Sequence, residues 1–300
     1  MMNSIKKLSR LMRSQPCSKE WLTVKDISTE DPILIGGSGR SGTTLMSVIL
    51  NAHPQLFCGP EFPFLIEAEF SLSAISAHLN YDEQQLRKMV HATENRIQFI
   101  EQLIRDIKKH KVINRFVSKT PVYIFYLDSI LATFPNAQFI YMCRDGRDVA
   151  VSMRKNAKNI ALRYDATYNE ELLSIKYCAE TWRTFVNAYR PWAYDSRCHL
   201  VRYEDLVVDP ELTLQRICGF LNLPYTEVMQ DFYTKGLSER SDLNQPHLVG
   251  VTKPLYKGRI SQWQKELSNE QVKIFEKYAG KELEYLGYKL INQESHTCKN

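Results

Sequence analysis

Residues 32–46 read PILIGGSGRSGTTLM and organise the rest of this 300-residue chain around them. The apolar run at 33–35 is typical of a short buried strand, and residues 43–50 carry Leu45 and Ile49 at helical spacing. The glycines between these segments let the backbone turn tightly and approach a ligand closely. The free N–H groups and the positive dipole end of the helix attract an anion. The stretch therefore predicts a strand, a phosphate-binding loop and a helix.

The loop departs from the pattern of an ATP- or GTP-binding loop. Gly37 and Gly42 fit the first part of the motif G-x-x-x-x-G-K-[ST], but Thr43 occupies the position of the lysine that reaches the β- and γ-phosphates. Arg40 lies inside the loop instead, and its guanidinium group offers a fixed bidentate donor to an anion. These residues favour an anionic group at the end of a nucleotide over a triphosphate with magnesium.

Strands and helices alternate along the rest of the chain. Further strands are predicted at 112–117, 137–143 and 199–203. Further helices are predicted at 86–110 (one helix or two), 122–133, 145–153, 171–189, 210–221 and 268–286. The polar stretch 238–262, with its glycines and prolines, predicts a long functional loop. This alternation indicates an α/β fold in which helices flank a parallel sheet on both faces.

Composition and charge narrow the class of protein. The chain is 44% hydrophobic and 24% charged, with 12 Gly and 12 Pro, which excludes disordered and collagen-like chains. The net charge of +5 suits an anionic ligand but is too small to indicate nucleic acid binding. No stretch approaches the roughly 18 apolar residues of a membrane span. The seven cysteines show neither a C-x-x-C zinc pattern nor a disulfide framework, so we expect a cytoplasmic protein.

The hydrophobic segments run on without a repeat or a Gly/Ser-rich linker, which favours a single domain. We predict that this domain covers residues 29–292. Residues 1–28 then form a basic N-terminal segment and residues 293–300 a C-terminal tail. The sequence leaves the oligomeric state open, a homodimer included.

The loop motif belongs to an ordered set of motifs that resembles the Golgi-type sulfotransferases. The further matches are Asn51-Ala52-His53-Pro54, Cys58-Gly59-Pro60-Glu61, Lys119-Thr120-Pro121, Phe134-Pro135-Asn136-Ala137, Arg144-Asp145-Gly146-Arg147 with Ser152, Tyr203-Glu204-Asp205-Leu206, and Lys253-Pro254 followed by Lys257-Gly258 and Trp263. They occur in the family's order and cover about residues 32–287. Within this family the chain is most similar to the tyrosylprotein sulfotransferases.

The resemblance implies a P-loop-like sulfotransferase fold and 3′-phosphoadenosine 5′-phosphosulfate as the sulfuryl donor, which would explain the missing lysine. The loop residues matched to donor binding are Gly39, Arg40, Ser41, Gly42, Thr43 and Thr44. By the same resemblance Arg144 and Ser152 hold the 3′-phosphate and Tyr203 approaches the nucleotide phosphate. Lys257 and Gly258 match a late basic loop over the donor. Arg144 follows a predicted strand, and ligands of open α/β sheets bind at the carboxyl ends of strands.

Sulfuryl transfer needs a base for the acceptor hydroxyl and positive charge where negative charge develops. The resemblance implies Glu61 as this base, because it stands at the spacing from Arg40 that the catalytic glutamate has in the tyrosylprotein sulfotransferases. Arg40 and Lys119 would supply the positive charge. The scheme requires no metal, and the histidines form no ligand pattern.

The motifs determine the donor better than the acceptor. Protein tyrosine is favoured only through overall similarity, and the hydroxyls of carbohydrates, lipids and small molecules are the alternatives. Pro60 and Pro63 replace an acidic and a basic residue that flank the glutamate in the tyrosine-specific enzymes, so peptide contacts there would differ. Two other hypotheses stay open: a P-loop nucleotide kinase, and a nucleotide-binding regulatory module without turnover.

The resemblance also bears on the cysteines. In the Golgi members the cysteines that match Cys58 and Cys198 are disulfide-bonded. The positions of their partners hold Val117 and Arg190 in this chain. This difference agrees with the expected cytoplasmic location.

Overall fold

The computed structural model describes residues 26–61, 65–66, 71–163, 173–238, 240 and 250–291, without the side chains of 158–163. The chain packs into two compact units. The first contains the described residues up to Ile35, together with Thr44–Phe139 and Thr226–Lys253. The second contains Gly36–Thr43, Ile140–Tyr225 and the described residues from Pro254 onward. The domain boundaries at residues 28 and 292 stay a prediction.

The strands form one five-stranded sheet. They are β1 (Ile33–Gly37), β2 (Leu56–Cys58), β3 (Arg115–Lys119), β4 (Gln138–Cys143) and β5 (Cys198–Arg202), in the order β2-β3-β1-β4-β5. Strand β3 pairs in parallel with β1, where Ile33 is opposite Val117, and with β2, where Cys58 is opposite Val117. Every residue of β1 and β3 is buried, which requires cover on both faces of these strands. The predicted α/β fold with a parallel sheet and flanking helices is confirmed.

The α-helices occupy most of the remaining described chain. They are α1 (Thr43–Asn51), α2 (Leu72–Leu79), α3 (Glu83–Ala92), α4 (Arg96–Lys111), α5 (Leu127–Thr133), α6 (Gly146–Arg163), α7 (Ile175–Tyr189), α8 (Tyr203–Val208), α9 (Pro210–Leu221), α10 (Phe232–Lys235), α11 (Trp263–Glu266) and α12 (Asn269–Tyr285). Short 3-10 helices lie at Pro121–Tyr126, Arg190–Trp192, Glu227–Asp231 and Lys257–Arg259. None of the helices in the described part of the chain is both long and apolar enough to cross a membrane.

Local signals determine several helix ends. Asp209 accepts a hydrogen bond from the Leu212 amide at the start of α9, the helix predicted at 210–221, and Pro210 lies in its first turn. Ser268 forms a capping box with Gln271 at the start of α12. Gly287 follows that helix with a φ of +80°, a left-handed conformation that favours glycine.

The predicted strand at 112–117 is placed too early. Helix α4 continues through Lys111 because Lys108, Lys109, His110 and Lys111 put positive charge at the negative end of its dipole. Val112 then ends the helix in the left-handed region, with a φ of 53°. Strand β3 begins only at Arg115, and the three-residue strand β2 escaped prediction because it is too short to show periodicity.

The helix predicted at 86–110 is two helices. Asn95 accepts hydrogen bonds from the amides of Ile97 and Gln98, so it is the N-cap of α4 and separates α4 from α3. The helix predicted at 122–133 begins as a 3-10 helix, with Pro121 in its first turn, and becomes α-helical at Leu127.

Candidate active site

The backbone of the glycine-rich loop has unusual dihedral angles at three positions. Gly37 has a φ of +134°, and a Cβ there would lie 2.3 Å from the Met142 carbonyl oxygen. Gly42 has a φ of +96°, and its Cβ would lie 2.9 Å from the Tyr203 ring. Arg40 also has a positive φ, +73°, which costs a non-glycine residue roughly 1–2 kcal/mol. Such local strain is typical of functional loops.

Arg40 and Arg144 meet Ser152 and Tyr203 in a group that we call the arginine cluster. The Arg40 Nε donates a hydrogen bond to the Ser152 Oγ at 3.1 Å. The Arg144 Nη1 donates to the Arg40 carbonyl oxygen at 3.4 Å, and its guanidinium group lies 4.6 Å from the centre of the Tyr203 ring. The structure thus brings together four of the residues that the sequence assigned to donor binding.

The arginine cluster concentrates positive charge in a poorly solvated place. Burial, followed by the charges of Arg144 and Arg259, lowers the pKa of Arg40. The Asp148 carboxylate lies 3.6 Å from the Arg144 Nη2 and offsets part of this charge. Like charges held together at such a cost are expected where an anion binds.

Two buried polar atoms of the loop and cluster lack a hydrogen-bond partner among the described residues: the Ser41 Oγ and the Arg144 Nε. Leaving such an atom unsatisfied costs about 1–3 kcal/mol. A Cβ built on Gly39 would meet no described atom within 4 Å, so packing within the described chain does not require glycine there. These three observations fit an anionic group held against the loop.

The other residues predicted to bind the donor lie in more ordinary surroundings. Thr43 is buried and Thr44 half-buried in the first turn of α1, where main-chain N–H groups are free of helical partners. Lys257 and Gly258 are exposed in the 3-10 helix Lys257–Arg259. The ring of Tyr256 lies over Gly258, where a Cβ would be 2.2 Å from it. Of the predicted loop 238–262, residues 239 and 241–249 lie outside the described residues.

Lys119 and Glu61 form an ion pair in the first unit. The Lys119 side chain at the end of β3 is only 2% exposed, and its Nζ donates a hydrogen bond to a Glu61 carboxylate oxygen. The Glu61 side chain is 45% exposed. The pair therefore joins a buried ammonium group to a carboxylate that solvent can reach. Such a carboxylate can accept a proton from an incoming hydroxyl.

Asn51 is a residue whose role the sequence analysis missed. Its Oδ1 accepts a hydrogen bond from the Cys58 amide at 2.8 Å, three residues before Glu61. Its Nδ2 donates to the carbonyl oxygens of Gly236 and Ser238 at 3.0 and 3.1 Å. The motif Asn51-Ala52-His53-Pro54 pointed to this residue. The neighbouring sequence, however, does not reveal which distant main-chain groups Asn51 binds.

Arg240 is a second residue without an assigned role. It is buried, and its Nη1 donates a hydrogen bond to the Ser47 Oγ at 3.0 Å. The Ser47 hydroxyl in turn donates to the Thr44 carbonyl oxygen at 2.8 Å, in the first turn of α1. Arg240 thus supports the helix that begins at the glycine-rich loop.

Cys58 and Cys198 form no disulfide bond within the described residues. Val117 lies opposite Cys58 in the sheet, the position that the resemblance assigned to the missing cysteine partner. The structure shows no group of three or more His, Cys, Asp or Glu side chains that could hold a metal ion within its described residues.

Sequence comparison shows which known proteins this chain resembles. The model of the Sulfotransferase family matches residues 32–227. Protein-tyrosine sulfotransferase of Drosophila melanogaster is 29% identical over 228 residues, which are 74% of this chain and 42% of that protein. Protein-tyrosine sulfotransferase 1 of Danio rerio is 30% identical over 202 residues, 66% of this chain and 54% of that protein. This chain therefore spans about half the length of these curated relatives.

The fold has a counterpart among solved structures. The crystal structure of mouse sulfotransferase SULT7A1 complexed with PAP matches with a TM-score of 0.57 and 16% identity, and the match covers 91% of each chain. At this identity the match concerns the fold alone. Because the family model spans more than half of the residues, the chain belongs to the sulfotransferase family.

Proposed function

We propose that this protein transfers a sulfuryl group from 3′-phosphoadenosine 5′-phosphosulfate to an acceptor hydroxyl. The observation that carries the proposal is the arginine cluster with the adjoining loop, where the Arg144 Nε and the Ser41 Oγ have no hydrogen-bond partner among the described residues. Membership of the sulfotransferase family and the fold shared with a PAP complex support the same donor.

The residues present fit a nucleotide that carries several anionic groups. The loop 39–44 would hold the 5′ end with main-chain N–H groups and the hydroxyls of Ser41, Thr43 and Thr44. Arg144 and Ser152 would hold the 3′-phosphate, where a guanidinium group and a hydroxyl lie in one cluster. When bound, the donor supplies an activated sulfuryl group.

The Lys119–Glu61 pair is proposed to handle the proton of the acceptor. The Glu61 carboxylate would accept the proton from the acceptor hydroxyl, which needs the solvent-accessible oxygen that the pair provides. The buried Lys119 ammonium holds this carboxylate by a hydrogen bond. Lys119 and Arg40 would also stabilise the negative charge that develops during in-line transfer.

Protein tyrosine is the acceptor that we favour over a carbohydrate. The two curated relatives are named protein-tyrosine sulfotransferases. The 3-10 helix that follows Lys119 exposes Val122 and Phe125, 37% and 42% respectively, at a spacing of three residues that places them on one face. Exposed apolar side chains on the helix that follows Lys119 suit an aromatic ring better than a polyhydroxylated sugar.

A ligand comparison tests the donor. Binding to the folded state raises the melting temperature by mass action, so we expect a larger rise with adenosine 3′,5′-bisphosphate than with ATP plus magnesium or with AMP. A larger rise with ATP would contradict the proposal and favour a nucleotide kinase.

An acceptor comparison tests the reaction itself. The protein and the radiolabelled donor are incubated in separate reactions with one acceptor each. The acceptors are a tyrosine peptide, the matched phenylalanine peptide, an oligosaccharide and a sterol alcohol. We expect label on the tyrosine peptide alone. Label on the oligosaccharide or the sterol would keep the sulfotransferase and replace the acceptor, and no label with tight nucleotide binding would favour a regulatory module.

A further inference from the structure

Asp148 is a buried carboxylate that the proposed mechanism does not use. It lies in the first turn of α6, and its side chain has no exposed surface. Both of its oxygens accept main-chain hydrogen bonds: Oδ1 from the Trp263 amide and Oδ2 from the Ser261 amide, each at 2.9 Å. The carboxylate thus fixes two alternate residues of one loop.

Arg144 holds the same loop at a neighbouring residue. Its Nη2 donates a hydrogen bond to the Arg259 carbonyl oxygen at 2.5 Å and lies 3.6 Å from Asp148. The loop passes through Ser261 with a φ of +57°, a conformation that a serine rarely adopts without support. Two side chains four residues apart therefore fix the main chain of residues 259–263.

The attraction of Arg144 alone does not explain a carboxylate at this position. Burial raises the pKa of Asp148, so its charge is carried at a cost in free energy. A negative charge beside Arg144 also opposes the binding of any anion to the arginine cluster. An asparagine at this position would lose one of the two hydrogen bonds to Ser261 and Trp263, and an alanine would lose both.

We propose that Asp148 is a positioning residue that fixes residues 259–263 and thereby places the adjoining Lys257–Arg259 segment for donor binding. This inference rests on the proposed function. The Arg259 carbonyl oxygen accepts a hydrogen bond from Arg144, and the Arg259 charge acts to lower the pKa of Arg40 and of Tyr203, so its segment lies at the arginine cluster. Fixing that segment in advance removes an ordering cost from the binding step.

The substitution Asp148→Asn separates this role from a role in charge balance. The asparagine has nearly the same size, but it removes one negative charge and turns an NH₂ group toward a main-chain N–H. Charge balance alone predicts tighter binding of adenosine 3′,5′-bisphosphate, whereas positioning predicts weaker binding. We expect the dissociation constant, measured by calorimetry, to rise roughly tenfold. An unchanged or lower constant would overturn the proposal.

A second variant keeps the proposal testable if Asp148→Asn fails to fold. Asp148→Glu keeps the charge and displaces the carboxylate, so it should weaken binding as well. In both variants amide hydrogen exchange should become faster at Ser261 and Trp263, while the Michaelis constant for the donor rises and kcat at saturating donor stays unchanged. A fall in kcat with an unchanged Michaelis constant would contradict the positioning role.

A double-mutant cycle with Lys257→Ala completes the experiment. If Asp148 acts through the Lys257–Arg259 segment, the loss from Lys257→Ala shrinks in the Asp148→Asn background. Fully additive losses would overturn the inference. A wild-type protein that binds no adenosine 3′,5′-bisphosphate would overturn the proposed function together with it, whereas wild-type binding that Asp148→Asn leaves intact would overturn the positioning role alone.

Discussion

The arginine cluster and the Lys119–Glu61 pair differ in whether their charges are balanced. In the cluster, Arg40 and Arg144 carry charges of the same sign, and one polar atom there and one in the adjoining loop find no hydrogen-bond partner in the described part of the chain. In the pair, a buried cation meets a carboxylate, and the carboxylate stays 45% exposed. The first arrangement suits the binding of an anion, whereas the second balances its own charge and leaves its carboxylate partly exposed. We propose that the first region holds a ligand and the second moves a proton.

The two regions are also supported by different parts of the chain. The cluster is held by buried side chains, since the Trp182 Nε1 donates to the Arg144 carbonyl oxygen at 3.1 Å and Asp148 fixes the adjoining loop. In the segment that leads to Glu61, Cys58 pairs with β3 in the sheet and its amide donates a hydrogen bond to the Asn51 side chain. We therefore expect substitutions near the cluster to change nucleotide affinity, and substitutions near the pair to change turnover.

Glu61→Ala should separate the two regions most sharply. Loss of the base should lower turnover by about 10²–10⁴-fold, while the affinity for adenosine 3′,5′-bisphosphate stays at the wild-type value. Steady-state kinetics and calorimetry on the same preparation measure both quantities. Glu61→Gln is the control of equal size and should behave alike. Unaltered turnover on the true acceptor would remove Glu61 as the base.

Arg144→Ala should produce the converse result. A hydrogen bond to a charged group contributes about 1.5–3 kcal/mol, so affinity for adenosine 3′,5′-bisphosphate should fall roughly 10- to 100-fold. AMP, which lacks the 3′-phosphate, should lose much less. Calorimetric titration with both nucleotides checks the difference, and an equal loss for the two would contradict the assignment of Arg144 to the 3′-phosphate.

Asn51→Ala tests whether Asn51 positions Glu61 for proton transfer. The Cys58 amide would lose its acceptor, so we expect kcat to fall roughly tenfold and the free energy of unfolding to drop by about 1–3 kcal/mol. Nucleotide affinity should stay constant. Asn51→Asp keeps the acceptor oxygen and should recover part of kcat. Equal turnover of the alanine variant and the wild type would show that Asn51 does not position the base.

Lys257→Ala should have the smallest effect. The side chain is exposed, and exposed charges contribute about 0–1 kcal/mol, so nucleotide affinity should fall only a few-fold. Salt should remove most of this loss, because the Debye length shrinks to about 3 Å at 1 M. Titrations at low and high salt check it, and a large salt-independent loss would place Lys257 inside the arginine cluster instead.

Much of the site could be read from the sequence because its parts follow local rules. The strand, glycine-rich loop and helix of residues 33–51 were predicted from apolar spacing and glycine content. Arg144 and Tyr203 were assigned through the resemblance to the family, and the position of Arg144 after a strand supported its assignment. The capping residues Asp209 and Ser268 begin helices where such residues are expected. Asn51 and Asp148 could not be found in this way, because their partners are main-chain groups far along the chain.

By itself, the sequence determined the order of the elements and the residue types of the site, since glycine content, helix caps and periodicity act over a few residues. Tertiary structure decided which of the site residues contact each other. Arg40 meets Ser152 across 112 residues, and Lys119 meets Glu61 across 58. It also decided which glycines packing requires, Gly37 because of Met142 but not Gly39. Such contacts depend on strand register and side-chain packing, which residues distant in the chain create only once the sheet has formed.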